Sequence, residues 1–171
     1  MFVILHSHSS EQEIKKSRFI CHLFPVDTVE DAQMALSHVQ NKMKDATHHA
    51  YAYIIGKDGA LLRYNDDKEP SQTAGVVIYD VLKRQKLTNI IAIVTRYYGG
   101  IKLGAKGLVR AYGSSVALAL ETAEKIPLTT FVELEIHISY AFVDIILNYM
   151  QYQQLIEKIF LDSVVLRFRI P

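Results

Sequence analysis

Residues 89–123 read NIIAIVTRYYGGIKLGAKGLVRAYGSSVALALETA and combine three patterns in one stretch. The first seven residues are almost entirely apolar and rich in β-branched side chains, as is typical of a strand covered on both faces. A glycine-rich loop follows over residues 97–107, and apolar spacing then predicts a long helix over residues 106–123. This succession favours an α+β fold with a covered sheet.

Similar patterns predict elements on the N-terminal side of this stretch. Residues 1–13 are mixed polar, show no signal-peptide pattern and receive no strand or helix. Asp27 and Thr28 are both candidate N-caps for the first helix. The predicted elements are a strand over 18–26, a helix ending at Lys44, an antiparallel hairpin of 50–55 and 60–64, and a helix from about Thr73 to Gln85.

A second, smaller domain is predicted at the C-terminal end. Pro127 follows the charged residues 121–125 and predicts a linker between a domain over 1–125 and a domain over 126–171. The tail patterns predict a strand over 128–139, a helix over 142–151 and a hairpin of 156–161 with 164–170. This βαββ order is one helix and one strand short of a ferredoxin-like module, so the chain is either naturally short or stops early.

Composition excludes several classes of protein. Of the 171 residues, 50% are hydrophobic and 22% are charged, which is typical of a folded chain. The apolar runs are much shorter than the ~20 residues that cross a bilayer, so no membrane partner is expected. The single cysteine, Cys21, excludes an intramolecular disulfide and a cysteine-based zinc site, and it suits the cytoplasm. The sequence indicates no cofactor and leaves the oligomeric state open.

Charge is unevenly distributed although its net value is only +1. Residues 58–70 are mainly acidic, and residues 76–112 contain one acid, Asp80, among cations. An acidic loop therefore precedes a basic region whose local field favours an anionic partner. The seven cations of that region are Lys83, Arg84, Lys86, Arg96, Lys102, Lys106 and Arg110.

Four motifs together resemble the Impact/YigZ family in their order and spacing. They are KSRFI (16–20), ATHHAYAY (46–53), NDDKEPSQTAG (65–75) and TRYYGGIKLGAKGLVRAY (95–112). The resemblance covers about residues 15–125, and the tail resembles the small C-terminal domain of bacterial members. It implies a first domain like domain IV of elongation factor G and a tail like a ferredoxin-like elongation-factor domain.

The same resemblance implies translation-linked binding. Eukaryotic relatives restrain a starvation-responsive translation kinase by competing for its activator, and no catalytic mechanism comes with the family. Lys68 and Gln72 stand where relatives usually have glycine, as does Lys106, and Ala50 stands where many have cysteine. Because glycine tolerates positive φ at low cost, the first two substitutions bear on the shape of the acidic turn. The missing cysteine argues against thiol chemistry.

The glycine-rich loop is a candidate anion or nucleic-acid site, because the first N–H groups of a helix are unpaired and its dipole favours negative charge. Lys106 and Arg110 are four residues apart and share one helix face. The alternative is that the glycines allow close packing and the cations are merely solvated, since no phosphate-loop signature is present. The candidate residues are Arg96, Gly99, Gly100, Lys102, Lys106 and Arg110.

The acidic loop offers Asp66, Asp67 and Glu69. Clustered carboxylates can hold a divalent cation, but we favour the alternative that an Asp accepts hydrogen bonds from local backbone N–H groups and shapes the turn, and we predict no metal. Ser71 and Thr73 are candidate caps of the second helix.

Histidines and tyrosines supply the remaining candidates. His48 and His49 are adjacent on a strand, so their rings point to opposite sides, and the resemblance implies that one faces the acidic loop. A hydrolytic triad of Ser71, His48 and an Asp is conceivable, but no pattern brings these residues together. Six tyrosines can either stack on unpaired bases or lie buried with one satisfied hydroxyl: Tyr51, Tyr53, Tyr64, Tyr97, Tyr98 and Tyr112.

These observations predict a noncatalytic, translation-linked regulatory or binding protein that contacts RNA or the ribosome, or a ribosome-associated protein. An enzyme acting on a phosphorylated or nucleotide substrate, where the acidic and glycine-rich loops meet, is the alternative. Because each of the segments 65–75 and 96–107 connects a strand to a helix, we predict that they lie side by side at one end of a mostly antiparallel sheet.

Overall fold

The computed structural model describes residues 1–129 and 131–170, and the chain divides into two units between Leu128 and Thr129. The fold is α+β in both units. The elements of the first unit are β1 (Phe2–Ile4), β2 (His8–Ile14), β3 (Ser17–Pro25), α1 (Val29–Lys42), β4 (His48–Ile55), β5 (Leu61–Asn65), α2 (Gly75–Arg84), β6 (Ile90–Tyr97), α3 (Gly104–Thr122) and β7 (Lys125–Pro127). Those of the second are β8 (Val132–Ile138), α4 (Val143–Tyr149), β9 (Gln154–Phe160) and β10 (Val164–Ile170).

A five-stranded sheet with the order β2-β3-β6-β4-β5 forms the framework of the first unit, and every neighbouring pair is antiparallel. The central strand β6 is buried from Ile90 to Arg96, so the prediction of a strand covered on both faces is confirmed. Helices α2 and α3 cover one face of the sheet and α1 covers the other.

The larger core lies between the sheet and α2 and α3. Phe19 of β3 meets Tyr112 of α3 edge to face, with ring centroids 5.4 Å apart. Small residues on the buried face of α3, including Ala111, Ser115 and Ala119, bring this helix close to the sheet. The start of α3, and the loop before it, are thereby held at one end of β6.

Helix α1 begins where the sequence predicts. Thr28 is the N-cap: its hydroxyl accepts from the Asp31 N–H, and the Asp31 carboxylate accepts from the Thr28 N–H. This reciprocal capping box satisfies two backbone donors that the helix itself leaves unpaired. Of the two candidate caps, the structure therefore selects Thr28.

Three strands appear where the sequence pattern predicts none. The first two are β1 and β2, which lie within the mixed polar residues 1–13 except for Ile14 at the end of β2; β2 alternates half-buried and exposed side chains along the edge of the sheet. The third is β7, in the segment expected to be a linker, and it pairs with β1. Partners more than 100 residues away along the chain create this pairing, so no local pattern reports it.

The second unit has the predicted βαββ order. Its sheet has the order β8-β10-β9, and α4 packs on one face against Val164, Leu166 and Phe168. Across this sheet, Arg167 of β10 forms ion pairs with Glu135 of β8 and with Glu157 of β9. Thr130, at the start of the strand predicted over 128–139, lies outside the described residues.

No helix in the described part of the chain has both the length and the apolar character that a membrane crossing requires.

Candidate functional site

Two loops meet at one end of the five-stranded sheet, as the sequence predicts. The acidic loop connects β5 to α2 over residues 66–74, and the glycine-rich loop connects β6 to α3 over residues 98–103, because the rest of the stretch predicted as loop, from Gly104 onward, already belongs to α3. Together with His48 at the start of β4, they enclose a cleft of about 500 Å³. Its lining includes Lys68, Glu69, Arg96, Tyr98 and Lys102.

A buried ion pair joins the two loops. The Arg96 guanidinium donates from Nη1 to the Glu69 Oε1 atom at 2.7 Å, and the two residues are only 5% and 7% exposed. The Tyr112 hydroxyl, from α3, donates to the same oxygen at 2.8 Å. Burial and the neighbouring Glu69 charge hold the pKa of Tyr112 well above its ordinary value, which keeps the hydroxyl protonated as a donor.

Arg96 lies between two aromatic rings at the cleft. Its Cζ atom is 5.4 Å from the ring centroid of Phe19 and 5.4 Å from that of Tyr98. Its Nη2 group is 3.4 Å from the Ser17 hydroxyl, and its buried Nε atom has no hydrogen-bond partner among the described residues. We expected Arg96 to be an accessible cation of the basic region, but its guanidinium is buried and ion-paired.

Asp66 shapes the acidic loop through backbone contacts. Its Oδ1 atom accepts from the N–H groups of Ala74 and Gly75 at 3.0 and 2.8 Å, and its Oδ2 atom accepts from the N–H of Gln72 at 3.0 Å. Asp66 thus satisfies the first amides of α2, as the turn-shaping alternative predicts. Ser71 and Thr73 do not cap α2: Thr73 donates to the Pro70 carbonyl, and Ser71 is exposed.

Asp67 and the two histidines tie β4 to the acidic loop. The Asp67 carboxylate accepts from the His49 N–H at 2.6 Å, and the His48 Nδ1 atom lies 2.8 Å from the Asp67 carbonyl oxygen. The His49 ring points to the opposite face of the sheet and contacts the Thr95 hydroxyl at 3.0 Å. The opposite orientation of the rings, and the approach of one ring to the acidic loop, are both confirmed.

Lys68 and Gln72, the two residues expected to bear on the shape of the acidic turn, both adopt left-handed backbone conformations, with φ of 68° and 64°. The turn therefore keeps a shape that suits glycine although neither residue is glycine, and each carries the associated backbone strain.

Gly99 has a packing role in the glycine-rich loop. A Cβ atom at this position would lie 1.9 Å from the Lys16 carbonyl oxygen in the turn between β2 and β3. The Gly99 N–H donates to the Ser17 hydroxyl at 3.2 Å, so it is already engaged. Gly100 has a φ of 86° and open space around it, and it permits the turn of the chain toward α3.

Exposed cations surround the start of α3. Lys68 and Lys102 line the cleft, Lys106 and Arg110 line a shallower depression beside Ser71 and Gln72, and Lys15 lies near Arg110. In the described part of the chain, none of these five side chains forms an ion pair. The N-cap of α3 is Leu103, so no side chain caps its first amides. We call Lys15, Lys68, Lys102, Lys106 and Arg110 the basic surface.

Other candidates are not brought together. Ser71 lies beside Lys106 and makes no hydrogen bond with His48, so no triad forms from these residues. Of the six tyrosines, Tyr64 and Tyr98 are each 45% exposed, and Tyr64 stacks on Tyr79. Only Tyr98 combines exposure with a place in the cleft.

Sequence reasoning did not single out Ser17, Lys15 or the link from Tyr112 to Glu69. The motif KSRFI contains Ser17, but the Arg96 and Gly99 groups that it contacts are 79 and 82 residues away. Only the tertiary fold shows that the turn between β2 and β3 supports the glycine-rich loop.

The geometry defines a class of α+β protein with a cleft between an acidic and a glycine-rich loop, rimmed by unpaired cations. A profile of the Impact N-terminal domain matches residues 15–120, which is more than half of the chain. The chain therefore belongs to the Impact family.

Individual relatives agree with this assignment. The IMPACT family member YvyE of Bacillus subtilis is 48% identical over 119 residues, which is 70% of this chain and 55% of that protein. YigZ of Escherichia coli is 44% identical over 125 residues, covering 70% of this chain and 61% of that protein. The match thus spans less than two thirds of either relative. A crystal structure of a hypothetical protein aligns with 99% of this chain and 84% of its own, at 34% identity and a TM-score of 0.74.

Proposed function

We propose that this chain is a noncatalytic binding protein of the translation apparatus, acting in the cytoplasm, and that it contacts RNA through the basic surface. The observation that carries the proposal is the set of five exposed cations around the start of α3 without ion-pair partners in the described chain. Cations without carboxylate partners are free to contact phosphates, and such contacts provide most sequence-independent affinity for nucleic acid.

The acids nearest to this surface do not neutralise it. The Asp66 and Asp67 carboxylates accept backbone N–H groups, and Glu69 is buried against Arg96 and Tyr112. With Glu69 paired to Arg96, the five cations of the basic surface outnumber the two remaining acids of the loop, so the excess charge at this end of the sheet is positive although the net charge of the chain is only +1. Such a field steers an anionic partner to this end of the molecule.

Family membership supports the translation-linked part of the proposal, because the family resemblance implies binding linked to translation. The contacts of the acidic loop support a noncatalytic role. Two of its three acids are occupied: the Glu69 carboxylate holds Arg96 and Tyr112, and the Asp66 carboxylate holds the start of α2. The described contacts of these two carboxylates stabilise the structure around the cleft.

The test is binding of ribosomes and of purified ribosomal RNA over a series of salt concentrations, with Lys102→Ala/Lys106→Ala against the unchanged protein. Both side chains are exposed, so we expect the thermal midpoint to change little, since surface substitutions alter stability by about 0.5 kcal/mol or less. Each lost phosphate contact should lower the slope of log K against log salt by roughly one unit.

A matched control is Lys44→Ala/Lys57→Ala, which removes the same charge from two exposed lysines that do not line the cleft or the depressions beside α3. We expect it to retain most of the affinity. Equal losses in both double variants would contradict a localised contact. Nuclease-resistant capture on ribosomes by a chain that binds no RNA would contradict the RNA contact and favour a ribosome-associated protein as the partner.

A further inference from the structure

The cleft combines charge with apolar walls, and its volume exceeds those of the two depressions that Lys15, Lys106 and Arg110 line. Lys68 and Lys102 lie on the same cleft as Pro70, Leu103 and Leu108. Its volume of about 500 Å³ is within the roughly 300–1,000 Å³ that is usual for small-ligand sites. A flat phosphate-binding surface needs no such cavity, so the cleft requires its own explanation.

Tyr98 offers one open aromatic face at this cleft. One side of the ring is turned to the Arg96 guanidinium, whose Cζ lies 5.4 Å from the ring centroid, yet the residue is 45% exposed. Its backbone is anchored, because the Tyr98 N–H donates to the Thr47 hydroxyl at 3.0 Å. A ring that is held in place and open on one side is suited to stacking with another planar group.

The donors at the cleft suit an anionic group beside that planar group. The first amides of α3, at Gly104 and Ala105, line the cleft and have no side-chain cap, and Lys102 lies just before the N-cap residue Leu103. Arg96, which is 5% exposed, also lines the cleft, and its guanidinium adds a positive charge next to these donors. Together these groups leave positive potential that Glu69 only partly offsets.

We infer that the cleft holds one unpaired nucleotide of a single-stranded RNA, with the base stacked on the open face of Tyr98. The nucleotide's phosphate lies against Lys102 and the first amides of α3. This inference rests on the proposed function and adds that the RNA is single-stranded where it meets the cleft. A duplex presents its bases already stacked on one another and so cannot place a base on Tyr98.

The experiment uses fluorescently labelled RNA dodecamers and the full chain. Three probes are compared by anisotropy: a single strand, a duplex of the same length, and an abasic single strand with the same phosphates. We expect the single strand to bind more tightly than the abasic strand by about 5- to 150-fold, the range for stacking of one base. Tyr98→Ala should lose that advantage, whereas Tyr98→Phe, which keeps the ring, should retain it.

Salt dependence separates stacking from charge. Tyr98→Ala should leave the salt slope unchanged, while Lys102→Ala should lower it by about 0.7 for a single strand. Tyr64→Ala is the control, because Tyr64 is equally exposed but does not line the cleft. Thermal unfolding of each variant checks that the fold is kept.

Equal binding of the normal and abasic strands, or tighter binding of the duplex, would overturn the nucleotide site. The proposed function would survive that result if Lys102→Ala/Lys106→Ala still weakened binding. Absence of RNA binding by the unchanged protein would overturn both.

Discussion

Glu69→Ala is expected to be among the most damaging single substitutions in the first unit. The Glu69 carboxylate accepts from the Arg96 Nη1 group at 2.7 Å and from the Tyr112 hydroxyl at 2.8 Å, and all three residues are buried. Removing it leaves the Arg96 charge in the interior without its counter-ion. Breaking a buried pair in this way costs about 3–5 kcal/mol, because the remaining charge is neither hydrated nor paired.

Two milder variants separate the contribution of the Tyr112 hydrogen bond from that of the Glu69 charge to this loss of stability. Tyr112→Phe removes one donor but leaves the ion pair, and we expect a loss of about 0.5–1.5 kcal/mol. Glu69→Gln keeps an oxygen that can accept from Tyr112 but removes the negative charge, so its cost should lie between those of Tyr112→Phe and Glu69→Ala. The costs should not add, since both donors share the single Oε1 atom.

Urea unfolding followed by circular dichroism measures these differences as changes in the free energy of unfolding. A loss of about 3–5 kcal/mol is a large part of the roughly 5–15 kcal/mol that stabilises an ordinary domain, so we expect Glu69→Ala to be only partly folded, and Glu69→Gln keeps the test informative. A loss below about 1 kcal/mol in both Glu69 variants would refute the reasoning, because it would mean that Arg96 is not held as a desolvated charge.

Two further outcomes are expected. Gln72→Gly should raise the free energy of unfolding, measured in urea, by up to about 1 kcal/mol. The reason is that the relief of backbone strain at φ 64° outweighs the extra conformational entropy that glycine gives the unfolded chain; a decrease would contradict this. Burial holds the pKa of His22 and His49 below the ordinary histidine value. The unfolded chain therefore binds protons more readily, and the stability present above the ordinary value is lost as pH falls through the lowered pKa. Urea midpoints between pH 8 and pH 5 should fall less steeply in His49→Gln; identical slopes would exclude this histidine as a cause.

Local patterns were sufficient for most elements of the fold. The apolar residues of β6 predicted a strand covered on both faces. The two candidate N-caps of α1, Asp27 and Thr28, included the observed one, Thr28. The hairpin of β4 and β5 and the βαββ order of the tail were likewise predicted. Each of these features depends on residues that are near one another in the chain, so hydrophobic period and capping chemistry report them directly.

The candidate site was predicted only in outline. The position of each loop between a strand and a helix predicted that the acidic and glycine-rich loops lie at one end of the sheet, and the sequence singled out Lys102, Lys106 and Arg110, which are exposed. It could not distinguish them from Arg96, which has the same type of charge but is 5% exposed. Its partner Glu69 is 27 residues away, and the Tyr112 that shares this partner is 43 residues from Glu69.

The sequence alone therefore settled the type and order of most helices and strands, because these follow from interactions within a few residues. The tertiary structure settled which charges are paired, which tyrosine is open and where β1 finds its partner β7. Those properties depend on contacts between segments far apart in the chain. A charged side chain has the same local pattern whether it faces solvent or a buried counter-ion, and only the closed fold separates the two.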